Sequence, residues 1–184
     1  MVIVFIGPPG SGKGTQAQIL KDTFLPNLHL LTVSSLLKEK SDDGSVLGND
    51  IKQKMDNGDL IDDTIVISVL NEKVNNLNNE QILIDGFPRS SIQAESLNSI
   101  FDNAKVHIIN FIVSDVHLLE RIKKRSLEES RADDSVFEKR LEIYKKSHDE
   151  IITSLNKYYE VIDIEANDEI TLISQKIVEK LGLN

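Results

Sequence analysis

Seven residues near the start of the chain, Gly7-Pro8-Pro9-Gly10-Ser11-Gly12-Lys13, combine closely spaced glycines with a lysine. Glycines let backbone N–H groups converge on phosphate oxygens, and a lysine at the end of the turn supplies a mobile cation to the outer phosphates of a nucleotide. The segment follows a short apolar run, Val2 to Ile6, and opens a helix-period stretch from Gly14, so a helix N-terminus adds its positive end to the same point. Phosphate binding is therefore expected at Gly10, Ser11, Gly12, Lys13, Gly14 and Thr15. Most loops of this kind carry a hydroxyl for Mg²⁺ directly after the lysine. Here Gly14 stands in that place and the hydroxyl comes one residue later, at Thr15, which argues against a motor, a transporter or a GTPase. The Asn-Lys-x-Asp guanine reader is missing too, because Asn156-Lys157-Tyr158-Tyr159 lacks the aspartate.

Further charged groups are candidates for the same chemistry. Asp85 ends an apolar run, where a carboxylate can hold a Mg²⁺-bound water or cap the following turn. Arg121 and Arg125 lie four residues apart, a spacing that by itself fits a solvated helix face better than a phosphate pocket. Asp133-Asp134 suits helix capping or the orientation of Arg131. Gln93 offers an amide that can pair with a base edge or face solvent. His29, His107, His117 and His148 have no second ligand at metal spacing, and the absence of cysteine excludes disulfides and thiolate zinc sites.

The elements that must position these groups are legible as alternating runs. Val2–Ile6 and Ile82–Ile84 are β-rich and continuously apolar, as strands buried on both faces of a parallel sheet are; Ile108–Val113 and Val161–Ile164 look the same apart from Asn110 and Asp163, and Leu30–Thr32 is a weaker fifth. Helix-period segments run over 14–24, 65–77, 116–125, 136–155 and 169–181, and in the last Ile170, Ile173, Ile177 and Leu181 share a face. Strands alternating with helices predict a doubly wound α/β fold with a five-stranded parallel sheet flanked by helices. The polar stretch from Lys38 to Asp63, with Gly44, Gly48 and Gly58, reads as a small helical insertion. Hydrophobic residues make up 40% of the 184 and charged residues 28%, an ordinary globular balance, with no apolar run near the roughly 20 residues of a membrane span. The apolar opening has no basic leader, so a cytoplasmic location is expected. A formal net charge of −9 repels polyanions and argues against nucleic-acid or acidic-membrane partners.

Taken in order, Gly7 to Gln16, Asp85-Gly86-Phe87-Pro88-Arg89 with Gln93, Arg121-Ile122-Lys123-Lys124-Arg125 and Arg131-Ala132-Asp133-Asp134 resemble the phosphate loop, acceptor site and lid of adenylate kinases and their UMP/CMP kinase relatives. Gly44 to Gly48 and Met55 to Leu60 are similar to that family's acceptor-binding subdomain. The resemblance implies a P-loop NTPase fold in one domain: a core of about 1–31, 64–121 and 135–184, an acceptor-binding insertion of about 32–63 and a short lid of about 122–134. It implies transfer of the γ-phosphoryl group of ATP, carried with Mg²⁺, to AMP by a monomer. A pyrimidine monophosphate kinase is the first rival, and a nucleotide-binding module with degraded catalysis is one of another class. Ser90-Ser91-Ile92-Gln93 resembles the adenylate type, because pyrimidine kinases carry asparagine-rich sequence there.

Residue by residue, the resemblance implies that Lys13, Arg89, Arg125, Arg131 and Arg140 are catalytic, and that Arg121 and Arg125 contact ATP. Val33, Lys38, Asp59, Leu60, Ile61, Gly86, Phe87, Pro88, Arg89, Gln93, Arg131 and Arg140 would surround AMP, with Asp85 reaching Mg²⁺ through water. Val33, Ser35 and Lys38 replace a hydroxyl, an acid and an arginine of the family's Ser-Thr-Gly-Asp-x-Leu-Arg stretch. Lysine keeps the charge at 38 but loses the planar fork. Arg140 follows Arg131 by nine positions where the family spacing is eleven, which turns it about 200° if the shortening falls within a helix and less if a loop absorbs it.

Overall fold

Parallel strands need cover on both faces, and the chain supplies it by returning through a helix after almost every strand. The structure, a computed structural model, describes residues 1–77, 80–102, 104–128 and 136–183, with the backbone alone for 125–128. Five strands, β1 (Val2–Ile6), β2 (His29–Thr32), β3 (Ile82–Asp85), β4 (Val106–Ile112) and β5 (Val161–Glu165), form one parallel sheet in the order β2-β3-β1-β4-β5. The order reverses direction at the central β1, so the loop after Ile6 opens at the topological switch point, where doubly wound sheets bind ligands. The fold is that of a P-loop NTPase.

The two-residue period of β1 divides the core. Val2, Val4 and Ile6 join one apolar cluster with Leu70, Leu97, Ile151 and Leu155, whereas Ile3 and Phe5 join a second with Ala17, Leu20, Ile173 and Ile177. The first cluster is covered by α2 (Val33–Ser41), α3 (Val46–Asp56), α4 (Asp63–Asn75), α5 (Ser91–Ile100) and α7 (Phe137–Leu155); the second is covered by α1 (Lys13–Ile19) and α8 (Ile170–Leu181). After α1 the chain widens into a π-helical turn, Leu20–Phe24, closed by Leu25 N–H donating to Leu20 O at 2.8 Å. The remaining helix, α6 (Asp115–Glu128), follows β4.

Two helical expectations need correction. Ile173, Ile177 and Leu181 are buried as expected, but Ile170 is 54% exposed. It is the first residue of α8, and its carbonyl is taken up by Gln16 and Ser174 at 2.9 Å each while the side chain stays outside the core. α5 is absent from the helix-period segments because Ile92 is exposed and the polar Gln93 is buried, which inverts the expected stripe. Its signal is the capping-box pattern Ser90-x-x-Gln93, met with one shift: Ser90 Oγ accepts from Gln93 N at 3.1 Å, and Gln93 Oε1 accepts at 2.8 Å from Arg89 N, the residue before the cap.

Candidate active site

Four backbone groups of a helix N-terminus have no partner within the helix, so a loop that wraps around it faces a ring of donors. Between β1 and α1 the chain makes this turn with Gly7, Gly10 and Gly12 at φ of 146°, 79° and 92°, a region that side chains avoid. At Gly10 an added side-chain carbon would lie 3.2 Å from Ile122 of α6 and 3.5 Å from Phe137 of α7, so those two helices crowd the loop. Ser11 is buried and accepts from Lys13 Nζ at 3.1 Å. Gly14 and Thr15 are exposed in the first turn of α1.

Lys13 folds back over its own loop, donating to Gly7 O and Pro8 O at 2.9 Å each as well as to Ser11 Oγ. Enclosure of its ammonium lowers its pKa from 10.5 to about 8; Asp85 opposes the shift, while Arg89 and Arg140 add to it. The structure thus brings Asp85, Arg89 and Arg140 within electrostatic reach of Lys13. Asp85 closes β3, and its Oδ2 stands 3.6 Å from where a side-chain carbon on Gly14 would begin. Arg140 occupies the first turn of α7, which starts only at Phe137, so most of the shortened Arg131-to-Arg140 span precedes the helix.

Arg89 is set by its neighbours: its Nε donates to Gly86 O at 2.9 Å, and an added side-chain carbon on Gly86, at φ 86°, would meet its guanidinium at 3.1 Å. Phe87 is fully buried and Phe87–Pro88 is a cis peptide. Arg121, on α6, ties the phosphate loop to the turn after β5, with Nη1 donating to Ser11 O at 3.1 Å and Nη2 to Ala166 O at 2.6 Å. Among the remaining expected acceptor residues, Val33 and Ile61 are buried, Asp59 and Leu60 are exposed, and Lys38 projects from α2 with no partner for its ammonium among the described residues. Arg131 and Asp133-Asp134 lie outside the described residues, as does the side chain of Arg125.

Three side chains that sequence reasoning passed over support the site. Lys139 Nζ donates to Asn57 O at 3.0 Å and Asp59 Oδ1 at 2.7 Å, joining the loop after α3 to α7. The buried Gln16 donates to Ile170 O and accepts from Ser174 Oγ at 2.6 Å, pinning α1 to α8. Asp63 accepts from both Gln93 Nε2 and Ser90 Oγ. Nothing in one sequence pairs residues so distant, although a buried glutamine needs partners.

The Lys13 shift carries a prediction for stability. Its folded pKa, about 8, lies below the ordinary 10.5, so between those values the unfolded chain binds more protons and stability from this group rises with pH. Urea unfolding at several pH values should show wild type gaining on Lys13→Met from about pH 8 upward. A constant difference between the two proteins would contradict enclosure of the ammonium.

Comparison with known proteins points to one family. The family model described as adenylate kinase matches residues 5–163. An adenylate kinase of Borrelia recurrentis is 38% identical over 128 residues; the match covers 69% of this chain and spans 58% of the length of that relative. Adenylate kinases of Prochlorococcus marinus (strain NATL2A) and Synechococcus sp. (strain WH7803) are each 32% identical over 98% of this chain and 98% of their own length.

Proposed function

We propose, since this chain belongs to the adenylate kinase family, that it catalyses reversible transfer of the γ-phosphoryl group of ATP to AMP, giving two ADP. The observation that carries the reading is the convergence of Lys13, Asp85, Arg89 and Arg140 beside the carboxyl ends of β1 and β3. Phosphoryl transfer needs in-line placement of the reactants and cancellation of charge on the equatorial oxygens, and it asks little covalent work of the protein. Lys13 serves the β- and γ-phosphates, Arg89 the acceptor phosphate and Arg140 the oxygens between them. Arg125 and Arg131 close over the reacting group from the lid, and Arg121 lines the donor side. Gln93 reads the adenine edge of AMP. No observation favours a pyrimidine acceptor or a binding module without turnover.

Magnesium fits as a companion of the nucleotide. Among the described residues no three acidic or histidine side chains cluster to hold an ion, but Asp85 stands beside the space left open by Gly14. A metal that keeps most of its water and is bound by phosphates needs no more than this. Asp85, through water, and Thr15 would hold it, and it would supply charge neutralisation at the bridging phosphate oxygens. The protein acts as a monomer in the cytoplasm, and its acidic balance disfavours nucleic-acid and acidic-membrane partners. Among the described residues no helix is long and apolar enough to cross a membrane. The acceptor insertion, about 32–63, corresponds to α2, α3 and the loop before α4.

A coupled ADP-release assay with Mg·ATP and a panel of nucleoside monophosphates tests the reading. ADP is expected with AMP; preference for CMP or UMP would move the chain to the pyrimidine kinases, and binding without turnover would make it a module. Within the same assay Lys38→Arg should lower KM for AMP several-fold, because a fork replaces a point charge at a contact worth about 1 kcal/mol, while kcat hardly moves. An unchanged KM would mean that Lys38 does not touch the acceptor.

A further inference from the structure

An amide side chain has two faces of opposite polarity, and which way it points decides which base edge it can match. Gln93 is 3% exposed and is held at both ends. Its Oε1 accepts from Arg89 N at 2.8 Å, and its Nε2 donates to Asp63 Oδ1 at 2.7 Å. The same carboxylate oxygen accepts from Ser90 Oγ at 2.8 Å, and Ser90 in turn caps α5 by accepting from Gln93 N. The flip of the amide follows from its partners alone. Turned over, it would set NH₂ against a backbone N–H and a carbonyl oxygen against a carboxylate, two repulsive contacts in a buried place.

We infer that Asp63 is a positioning residue that fixes the polarity of Gln93 and so makes the acceptor site selective for a 6-amino purine. The inference rests on the reading that Gln93 faces the acceptor base. One Nε2 hydrogen and one Oε1 lone pair remain after the two internal bonds. Adenine presents a donor at N6 and an acceptor at N1, which such an amide edge matches. Hypoxanthine presents the reverse, a carbonyl at C6 and a hydrogen on N1, and would match only a flipped amide. With Asp63 in place a flip meets both repulsive contacts; without it only the Arg89 N–H still opposes the turn, so the preference for one orientation weakens and hypoxanthine is resisted less. A site that hydrogen-bonds its substrate rejects a mismatched analogue because its polar groups are left unpaired.

The test uses the full-length protein, with AMP as acceptor and IMP as a competitor of AMP. Asp63→Leu removes the acceptor for Nε2 and Asp63→Ser draws it back to a neutral hydroxyl one bond nearer the backbone, whereas Asp63→Asn keeps an oxygen where Oδ1 now accepts both bonds. In the leucine and serine variants KM for AMP should rise several-fold and Ki for IMP should fall, narrowing the ratio of the two by about tenfold, on the scale of one hydrogen bond. KM for ATP should stay level and Asp63→Asn should keep the wild-type ratio. The serine variant, with a residue favoured at helix starts, covers the case in which leucine destabilises α4. If AMP and IMP weaken by a common factor, Asp63 only steadies the Arg89 backbone and the inference falls; an unchanged ratio defeats it equally. Failure of the underlying reading is distinguishable: if Gln93 does not face the base, Gln93→Leu leaves the wild-type ratio of AMP to IMP unchanged, and if the acceptor is not AMP, wild type does not turn it over.

Discussion

Lys13→Ala is expected to lower kcat by about a hundredfold or more, the scale set by removing one preorganised donor from a site of developing charge, while leaving the fold in place. The side chain sits on the loop and not in either apolar cluster, and its bonds all run to Gly7, Pro8 and Ser11, so no strand or helix depends on it. Removing an enclosed charge whose pKa is already depressed costs the folded state little. Initial rates at saturating ATP and AMP, with thermal melts of both proteins, separate activity from folding. A variant that kept more than about a tenth of wild-type kcat, some 1.4 kcal/mol of transition-state stabilisation or less, would remove Lys13 from the mechanism.

Gly7→Ala should instead destabilise the protein itself, by about 3 kcal/mol or more. Gly7 has φ 146°, and an added carbon would stand 2.8 Å from Phe111 Cβ and 3.1 Å from Phe111 O. Phe111 cannot retreat, since it is 1% exposed and packs edge-on against Phe5 with ring centroids 5.0 Å apart. Gly182→Ala is the control: φ is 67° and nothing lies within 4 Å, so only the backbone cost of about 1 to 2 kcal/mol applies. Urea titration should place the Gly7→Ala midpoint well below that of Gly182→Ala at equal slope. Equal midpoints would mean that the sheet yields at Phe111.

Much of the fold could be read from the chain because parallel strands buried on both faces leave continuous apolar runs, as at Val2–Ile6 and Ile82–Ile84. Even the weak run at Leu30–Thr32 lies within β2, held by its register with β3. What escaped was α5, where the residue facing inward is a glutamine and periodicity of apolar side chains gives no warning. At the site, the glycine loop and Asp85 were legible as local patterns. The direction of Arg140 stayed open although the helix start was read to within one residue, because the spacing alone does not say whether a loop or the helix absorbs the shortening. Asp63 and Lys139 act on partners 30 and 80 or more positions away, a distance over which a single sequence carries no pairing signal.

The self-contacts of Lys13 give nucleotide binding the character of an exchange. An ammonium has three hydrogens, and Gly7 O, Pro8 O and Ser11 Oγ use all three before any ligand arrives. A phosphate that recruits this lysine therefore substitutes for a loop oxygen, and the number of hydrogen bonds is conserved across the event. The gain lies in replacing a neutral acceptor by a charged one. Nucleosides without phosphate have nothing to offer in that trade, so the free loop screens its visitors by charge before it meets their bases.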